Sequence, residues 1–255
     1  MNLLEAILLG VVEGITEFLP ISSTGHLILT TKLLGIPPTE FVTSFEIAIQ
    51  LGAIMAVVVL YGWALITNIS LLKRVVAAFV PTAILGLTLY SFIKEELLGN
   101  VAVVVWSLII GGFIIIIFEH YHKPKIMGYQ DETITYRQAI MIGLIQSISF
   151  IPGVSRAAAT IMGGLFVGLS RWSAARFSFL LAIPTMSAAV AFDLLKTGAN
   201  FTSNEYTLLG VGFITAFVMA MISIRYLMRY LEHHNFSLFG IYRIIVGLIF
   251  LLFIF

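Results

Sequence analysis

Apolar residues run through this chain in long stretches, and the polar positions gather between them. Six runs, roughly residues 41–61, 75–93, 101–118, 173–194, 206–227 and 239–255, approach the length a bilayer-spanning helix needs, about 20 residues. Pro81 and Pro184 fall inside two of these runs. They predict kinks whose freed hydrogen-bonding groups are met inside a bundle. Two further stretches are interrupted. Residues 3–19 stop at Pro20-Ile-Ser-Ser-Thr-Gly before an apolar character resumes over 27–35, and residues 138–151 stop at Pro152-Gly-Val-Ser-Arg before it resumes over 157–169. Each pair is too short for two crossings. A re-entrant helix–loop–helix that turns near mid-depth is the economical reading.

The interrupted stretches resemble each other. Ala6-Ile7 with Gly10 and Glu13 is matched by Ala139-Ile140 with Gly143 and Gln146, an offset of 133 residues. Downstream, Ser44-Phe45 and Ala48-Ile49 recur as Ser178-Phe179 and Ala182-Ile183 at an offset of 134. Matches in the same order at a nearly constant offset point to an internal repeat. The expected architecture is an all-α polytopic membrane protein, a single integral domain over 1–255. It comprises two repeats, about 1–120 and 134–255, each with one re-entrant helix hairpin and three transmembrane helices. Three crossings leave the second repeat inverted relative to the first.

Charge then orients the chain. Lys73, Arg74, Lys123, Lys125, Arg137, Arg171, Arg176, Arg225, Arg229 and Arg243 fall on one side of this topology, against Lys32, Lys94 and Lys196 on the other, ten to three. Basic loops stay in the cytoplasm, so both termini are expected outside. Composition agrees: 60% of residues are apolar and 11% charged, and the formal net charge is +1 with no basic tract for nucleic acid. The absence of cysteine excludes disulfides, thiolate catalysis and cysteine-held metals. No basic segment or cleavage site marks a signal peptide at the N-terminus. A homodimer is compatible with this reading, and nothing in the sequence requires one.

The candidate chemistry lies in the interruptions. Glu13 and Glu17 are four residues apart and share a helix face. Two carboxylates at depth call for a proton or a hard divalent cation such as Mg2+ or Ca2+; the alternative is a pair of capping or vestibule residues. Ser22, Ser23 and Thr24 are cap and turn residues whose hydroxyls, with the next helix's free amides, suit an anion. Ser23 or His26 can act as a nucleophile, and His26 also as a general acid; the alternative for His26 is a hydrogen-bonded packing role. Gly153, Val154 and Ser155 lead into a helix through Thr160, and Arg156, the one arginine expected at mid-depth, offers a planar fork suited to phosphate. A resting salt bridge from Arg156 to Glu13 or Glu17 is the competing reading. Glu46 and Gln50 are candidates to line the site. Glu95, Glu96 and Asp193 read as helix-end residues, and His120, His122, His233 and His234 as surface histidines.

Together these groups describe an intramembrane site for a phosphorylated lipid. The run Glu13-Gly-Ile-Thr-Glu17-Phe-Leu-Pro-Ile-Ser-Ser-Thr-Gly-His26 resembles the first signature of the bacterial undecaprenyl-diphosphate phosphatase (bacitracin-resistance) family. Pro152-Gly-Val-Ser-Arg156 with Thr160 resembles its second. The resemblance covers essentially the whole chain. It implies hydrolysis of undecaprenyl diphosphate to undecaprenyl phosphate and inorganic phosphate, with Mg2+ or Ca2+, at a site open to the outer face. By motif, Glu13 and Glu17 match the family's acidic pair, Ser23 its serine, His26 its histidine, Arg156 its phosphate-binding arginine and Thr160 its final threonine. Ala157 departs from the serine usual after that arginine. The rival reading is a transporter or flippase of an anionic lipid, because broken helices in inverted repeats also bind anions at the midplane. A noncatalytic scaffold is the third.

Overall fold

The computed structural model describes residues 1–93, 97, 100–121, 133–196 and 201–254, without the side chains of 193–196, 253 and 254. Lys94, Glu95, Glu96, His122, Lys123 and Lys125, and the side chains of Asp193 and Lys196, lie outside the described residues. Regular structure among the described residues is helical throughout. In chain order the helices are α1 (Leu3–Thr16), α2 (Ser23–Leu33), α3 (Glu40–Thr67), α4 (Ile69–Thr88), the short α5 (Tyr90–Phe92), α6 (Val101–Tyr121), α7 (Tyr136–Gln146), α8 (Arg156–Phe166), α9 (Arg171–Lys196), α10 (Ser203–Tyr230) and α11 (Ser237–Ile254). A 3-10 turn, Ser147–Phe150, extends α7. By length and composition α3, α4, α6, α9 and α10 can cross a membrane, and the apolar stretch Ser237–Leu252 of α11 is shorter. The chain is an all-α polytopic membrane protein.

Helix starts follow capping chemistry. Asn2 with Glu5, Thr135 with Gln138 and Thr202 with Glu205 each form a reciprocal capping box at the heads of α1, α7 and α10. Asn68 caps α4 through the Leu71 amide at 3.0 Å, so α4 begins at Ile69, six residues before the apolar run suggested. Pro81 and Pro184 lie inside α4 and α9 without ending them.

Packing crosses between the two halves of the chain. α1 lies on α10, α7 on α4, α3 against both α9 and α10, and α6 on α11. Small residues permit the close approaches. A Cβ on Gly10 would stand 2.8 Å from the Gly212 carbonyl oxygen, and one on Gly14 would stand 2.6 Å from Met219 Cβ and 2.9 Å from Ala220 N. Gly143 of α7 meets the Ala78 backbone of α4 in the same way. Hydroxyls stitch both contacts: Ser223 donates to the Ile15 carbonyl at 2.8 Å, and Thr82 to the Gly143 carbonyl at 2.7 Å. At one end of the bundle, buried Glu119 accepts from Arg171 Nε at 3.1 Å and from the Phe236 amide at 3.0 Å, tying α6 to the starts of α9 and α11. Phe18, Phe177, Phe179 and Leu181 are buried at the centre of the core. Large apolar side chains such as Leu4, Trp63, Leu87, Ile214 and Leu252 face outward, as lipid contact demands.

Candidate active site

Both interruptions form the same local shape. After α1 the chain turns through Glu17–Ile21 and enters α2 at an N-cap, Ser22, with φ 74°. After the 3-10 turn it passes Pro152-Gly153-Val154 and enters α8 at an N-cap, Ser155, with φ 79°. These are the only non-glycine residues with positive φ among the described residues. Each serine hydroxyl accepts from the amide three residues on, Gly25 at 3.3 Å and Ala158 at 3.1 Å. The cap holds a backbone that a non-glycine residue adopts at a cost of about 1–3 kcal/mol. Ser23 and Thr24, and Arg156 and Ala157, are the first residues of their helices, so their amides have no intrahelical acceptor. Two helix N-termini therefore open beside each other.

Between them is a cavity of about 170 Å³, lined among others by Glu17, Ser23, Thr24, Gln50, Ser155 and Arg156. Glu17, buried at the end of α1, joins the two halves of the chain. One of its oxygens accepts from the Ser23 hydroxyl. The other accepts from Arg156 Nε at 3.2 Å and an Arg156 terminal nitrogen at 3.0 Å, across 139 residues of sequence. Arg156 also donates to the Ser178 carbonyl at 3.0 Å and lies over the Phe18 ring, its Cζ 5.7 Å from the centroid. A hydroxyl on a carboxylate, beside an arginine, is an arrangement that can lose a proton and attack phosphorus.

The other residues singled out from the sequence have different surroundings. Glu13, one turn before Glu17, is 0% exposed, and both its carboxylate oxygens lack a hydrogen-bond partner among the described residues. Glu17, Glu46 and Arg156 are its electrostatic neighbours. Two buried, unsatisfied acceptors are costly unless something positive meets them, so Glu13 is chemically suited to a hard cation or a proton. His26 turns away from Ser23. Its Nδ1 lies 2.7 Å from the Ser22 carbonyl, which can only accept, so Nδ1 carries the proton. Nε2 lies 2.9 Å from the Tyr242 hydroxyl of α11, and the two rings stack at 5.6 Å. Thr160 is buried behind the cavity, donating to the Arg156 carbonyl at 2.9 Å and meeting the Ser178 hydroxyl. Ser22 and Gly153 line the cavity, whereas Val154 holds the turn, its amide on the Ile151 carbonyl at 3.1 Å.

Arg156, partly buried, is not the only arginine drawn into the bundle. Arg243 of α11, grouped with the cytoplasmic basic residues on sequence grounds, is 0% exposed. Its guanidinium donates to the carbonyls of Pro20 at 3.3 Å, Gly153 at 2.9 Å and Val154 at 2.8 Å, and to those of Ser107 and Leu108 of α6 at 2.9 and 3.4 Å. One side chain thus clasps both turns and the helix between them. A charge inside the apolar run 239–255 was the available signal, since such a residue seldom faces lipid. The charge count instead places it with the basic residues of the cytoplasmic side. Tyr242 and Ser178 carry no signal in sequence that separates them from packing residues.

Comparison with known proteins covers nearly the whole chain. The family model described as bacitracin resistance protein BacA matches residues 6–249. A protein of Aquifex aeolicus (strain VF5) named undecaprenyl-diphosphatase is 52% identical over 246 residues, 96% of each chain. Proteins of the same name from Persephonella marina (strain DSM 14350 / EX-H1) and Sulfurihydrogenibium sp. (strain YO3AOP1) are 50% and 49% identical, over 100% and 99% of each chain.

Proposed function

The chain belongs to the bacitracin resistance protein BacA family, and from that premise we propose that it hydrolyses undecaprenyl diphosphate to undecaprenyl phosphate and inorganic phosphate. That reaction returns the lipid carrier to cell-wall synthesis. The observation that carries this reading to particular residues is the meeting of Glu17, Ser23 and Arg156 in one cavity.

The architecture we propose is a pair of inverted repeats, about 1–120 and 134–255, each with a re-entrant hairpin, α1–α2 and α7–α8, and three crossing helices. The matched N-cap serines support it, as does the crossed packing of α1 on α10 and α7 on α4. Discounting Arg243 leaves the basic residues nine to three in favour of the same side, so both termini lie outside and the cavity opens to the outer face.

In the proposed reaction the diphosphate displaces the resting Arg156–Glu17 pair. Its oxygens take the Arg156 fork and the free amides of α2 and α8. Ser23 Oγ attacks the terminal phosphorus while Glu17 takes the hydroxyl proton. The bond to the oxygen of undecaprenyl phosphate breaks, and water then hydrolyses the phosphoserine to release phosphate and restore Ser23. Ser23 is favoured over His26 because its oxygen already meets a carboxylate, whereas both His26 nitrogens are engaged by Ser22 and Tyr242. Glu13 and Glu17 are the residues that would hold a divalent cation. No cluster of three or more acidic, histidine or cysteine side chains stands ready for one among the described residues, and magnesium commonly takes one or two carboxylates with phosphates and water. Bound there, it would neutralise charge on the phosphate oxygens.

Phosphate release from undecaprenyl diphosphate by detergent-solubilised protein tests the reading. Wild type releases phosphate and Arg156→Ala does not. Undiminished release by Arg156→Ala would remove that residue from the site. Rapid quench should trap phosphate on Ser23; phosphate on His26, or on neither, overturns the serine route.

A further inference from the structure

The proposed reaction ends with water attacking a phosphoserine, and that water needs a holder. Most polar groups of the cavity are already committed. Glu17 accepts from Ser23 and Arg156. The Ser22 and Ser155 hydroxyls accept from the amides they cap, and Ser149 donates to the Gln146 carbonyl at 2.7 Å. Two polar side chains on the cavity wall have no hydrogen bond among the described residues, Thr24 and Gln50. Thr24 stands beside Ser23 in the first turn of α2. Gln50 comes from α3, and among the described residues it is the only polar lining side chain that lies outside the two hairpins.

The packing of α3 fixes where Gln50 stands. Ile49 and Ala53 beside it are 0% exposed. Gly52 lays its backbone on α10, where an added Cβ would collide with the Phe213 carbonyl oxygen. The cavity of about 170 Å³ leaves room for water beside a phosphoryl group, since a water takes about 30 Å³ of the liquid. In-line displacement sets the attacking and leaving oxygens on opposite sides of phosphorus. Water that displaces Ser23 Oγ therefore enters where the lipid phosphate departed. Thr24 shares a turn with the nucleophile, whereas Gln50 belongs to another wall. A side-chain amide suits the task. Its oxygen accepts from water while its NH2 donates to a phosphoryl oxygen, so one planar group orients both reactants. Being neutral, it adds none of the repulsion that a further carboxylate would bring to the phosphoryl oxygens.

We propose that Gln50 is a catalytic residue of the second half of the reaction, orienting the water that hydrolyses the Ser23 phosphoserine. This rests on the serine route given above. The water oxygen bonds to phosphorus as the bond from phosphorus to Ser23 Oγ breaks. Glu17 returns to Ser23 Oγ the proton it took in the first step. One water proton stays on the new hydroxyl and the other passes to a phosphoryl oxygen, so dihydrogen phosphate leaves. Gln50 neither gains nor loses a proton. The test uses the full chain in detergent with magnesium or calcium, and undecaprenyl diphosphate labelled on its terminal phosphate. Rapid quench follows label on Ser23 and label released. Gln50→Leu keeps the bulk and removes both hydrogen-bonding groups. Phosphoserine should form within about threefold of the wild-type rate while steady-state release falls by about 10²-fold, the scale of lost orientation. The share of chains carrying phosphoserine should rise with it. A merely structural defect slows both steps together, and that result overturns the proposal, as does unchanged release. Either failure leaves the serine route standing. Phosphoserine in neither wild type nor variant overturns that route, and the role of Gln50 with it. Should Gln50→Leu not remain monodisperse, Gln50→Ala is judged by the same outcomes.

Discussion

Glu17 has two jobs that a single substitution separates poorly from each other but well from folding. It accepts from Ser23 with one oxygen and from Arg156 with the other. Glu17→Gln keeps the size and one acceptor while removing the charge that, in the proposed reaction, draws the serine proton. Phosphate release should fall by roughly 10²–10⁴-fold, as for loss of a general base, with the detergent-solubilised protein still monodisperse. A fall that magnesium or calcium fully rescues would place the defect in cation binding instead. The N-cap serines offer a second test on the same scale. At φ 79° Ser155 bears a strain that glycine does not. Ser155→Gly loses the cap and the strain together, whereas Ser155→Ala loses the cap and keeps the strain. Thermal unfolding should rank glycine above alanine by about 1 kcal/mol. Equal Tm values for the two variants would mean that the turn relaxes.

At the scale of helices, the approach of α1 to α10 sets where Glu13 and Glu17 lie. Gly14→Ala puts a methyl 2.6 Å from Met219 Cβ and 2.9 Å from Ala220 N, where the partner cannot yield without moving its helix. A loss of about 1–3 kcal/mol is expected, as for other overpacked sites, together with lower activity. Gly210→Ala, on α10 with open space at its Cβ, is the control and should be neutral or slightly stabilising. Similar losses in both would show that the contact is not their cause. The elements themselves were largely legible. Hydrophobic runs located α3, α4, α6, α9, α10 and α11, because a segment in lipid must satisfy its backbone within a helix. Their ends were less so. Hydropathy started the fourth helix at Val75, since Lys73 and Arg74 interrupt the apolar run, whereas Asn68 caps it and starts it at Ile69. Of the candidate site, the signatures singled out Glu17, Ser23 and Arg156, which the fold brings into contact. The sequence could not place His26 against Tyr242, because that contact joins residues 216 apart through a packing angle no local pattern encodes.

For the molecule as a whole, the two turns are held by one side chain. Arg243→Ala leaves the Pro20, Gly153 and Val154 carbonyls without its donors, at about 1–3 kcal/mol for each one left unsatisfied. A large drop in Tm and loss of phosphate release should follow together. Arg243→Lys keeps the charge but reaches fewer oxygens, and should recover part of the stability before it recovers activity. Activity near wild type in Arg243→Ala would show that the turns hold their shape unaided. A further consequence lies in what the arginine touches: each of these five hydrogen bonds ends on a main-chain oxygen. It reads the path of the polypeptide and is blind to what hangs from it. The side chains at Pro20 and Val154 are thus unread by the clasp, whereas Gly153 admits none, since its φ is 91° and a Cβ there would stand 2.6 Å from the Val104 carbonyl oxygen. No mutation in the loops, however, can supply the missing cation from their own side.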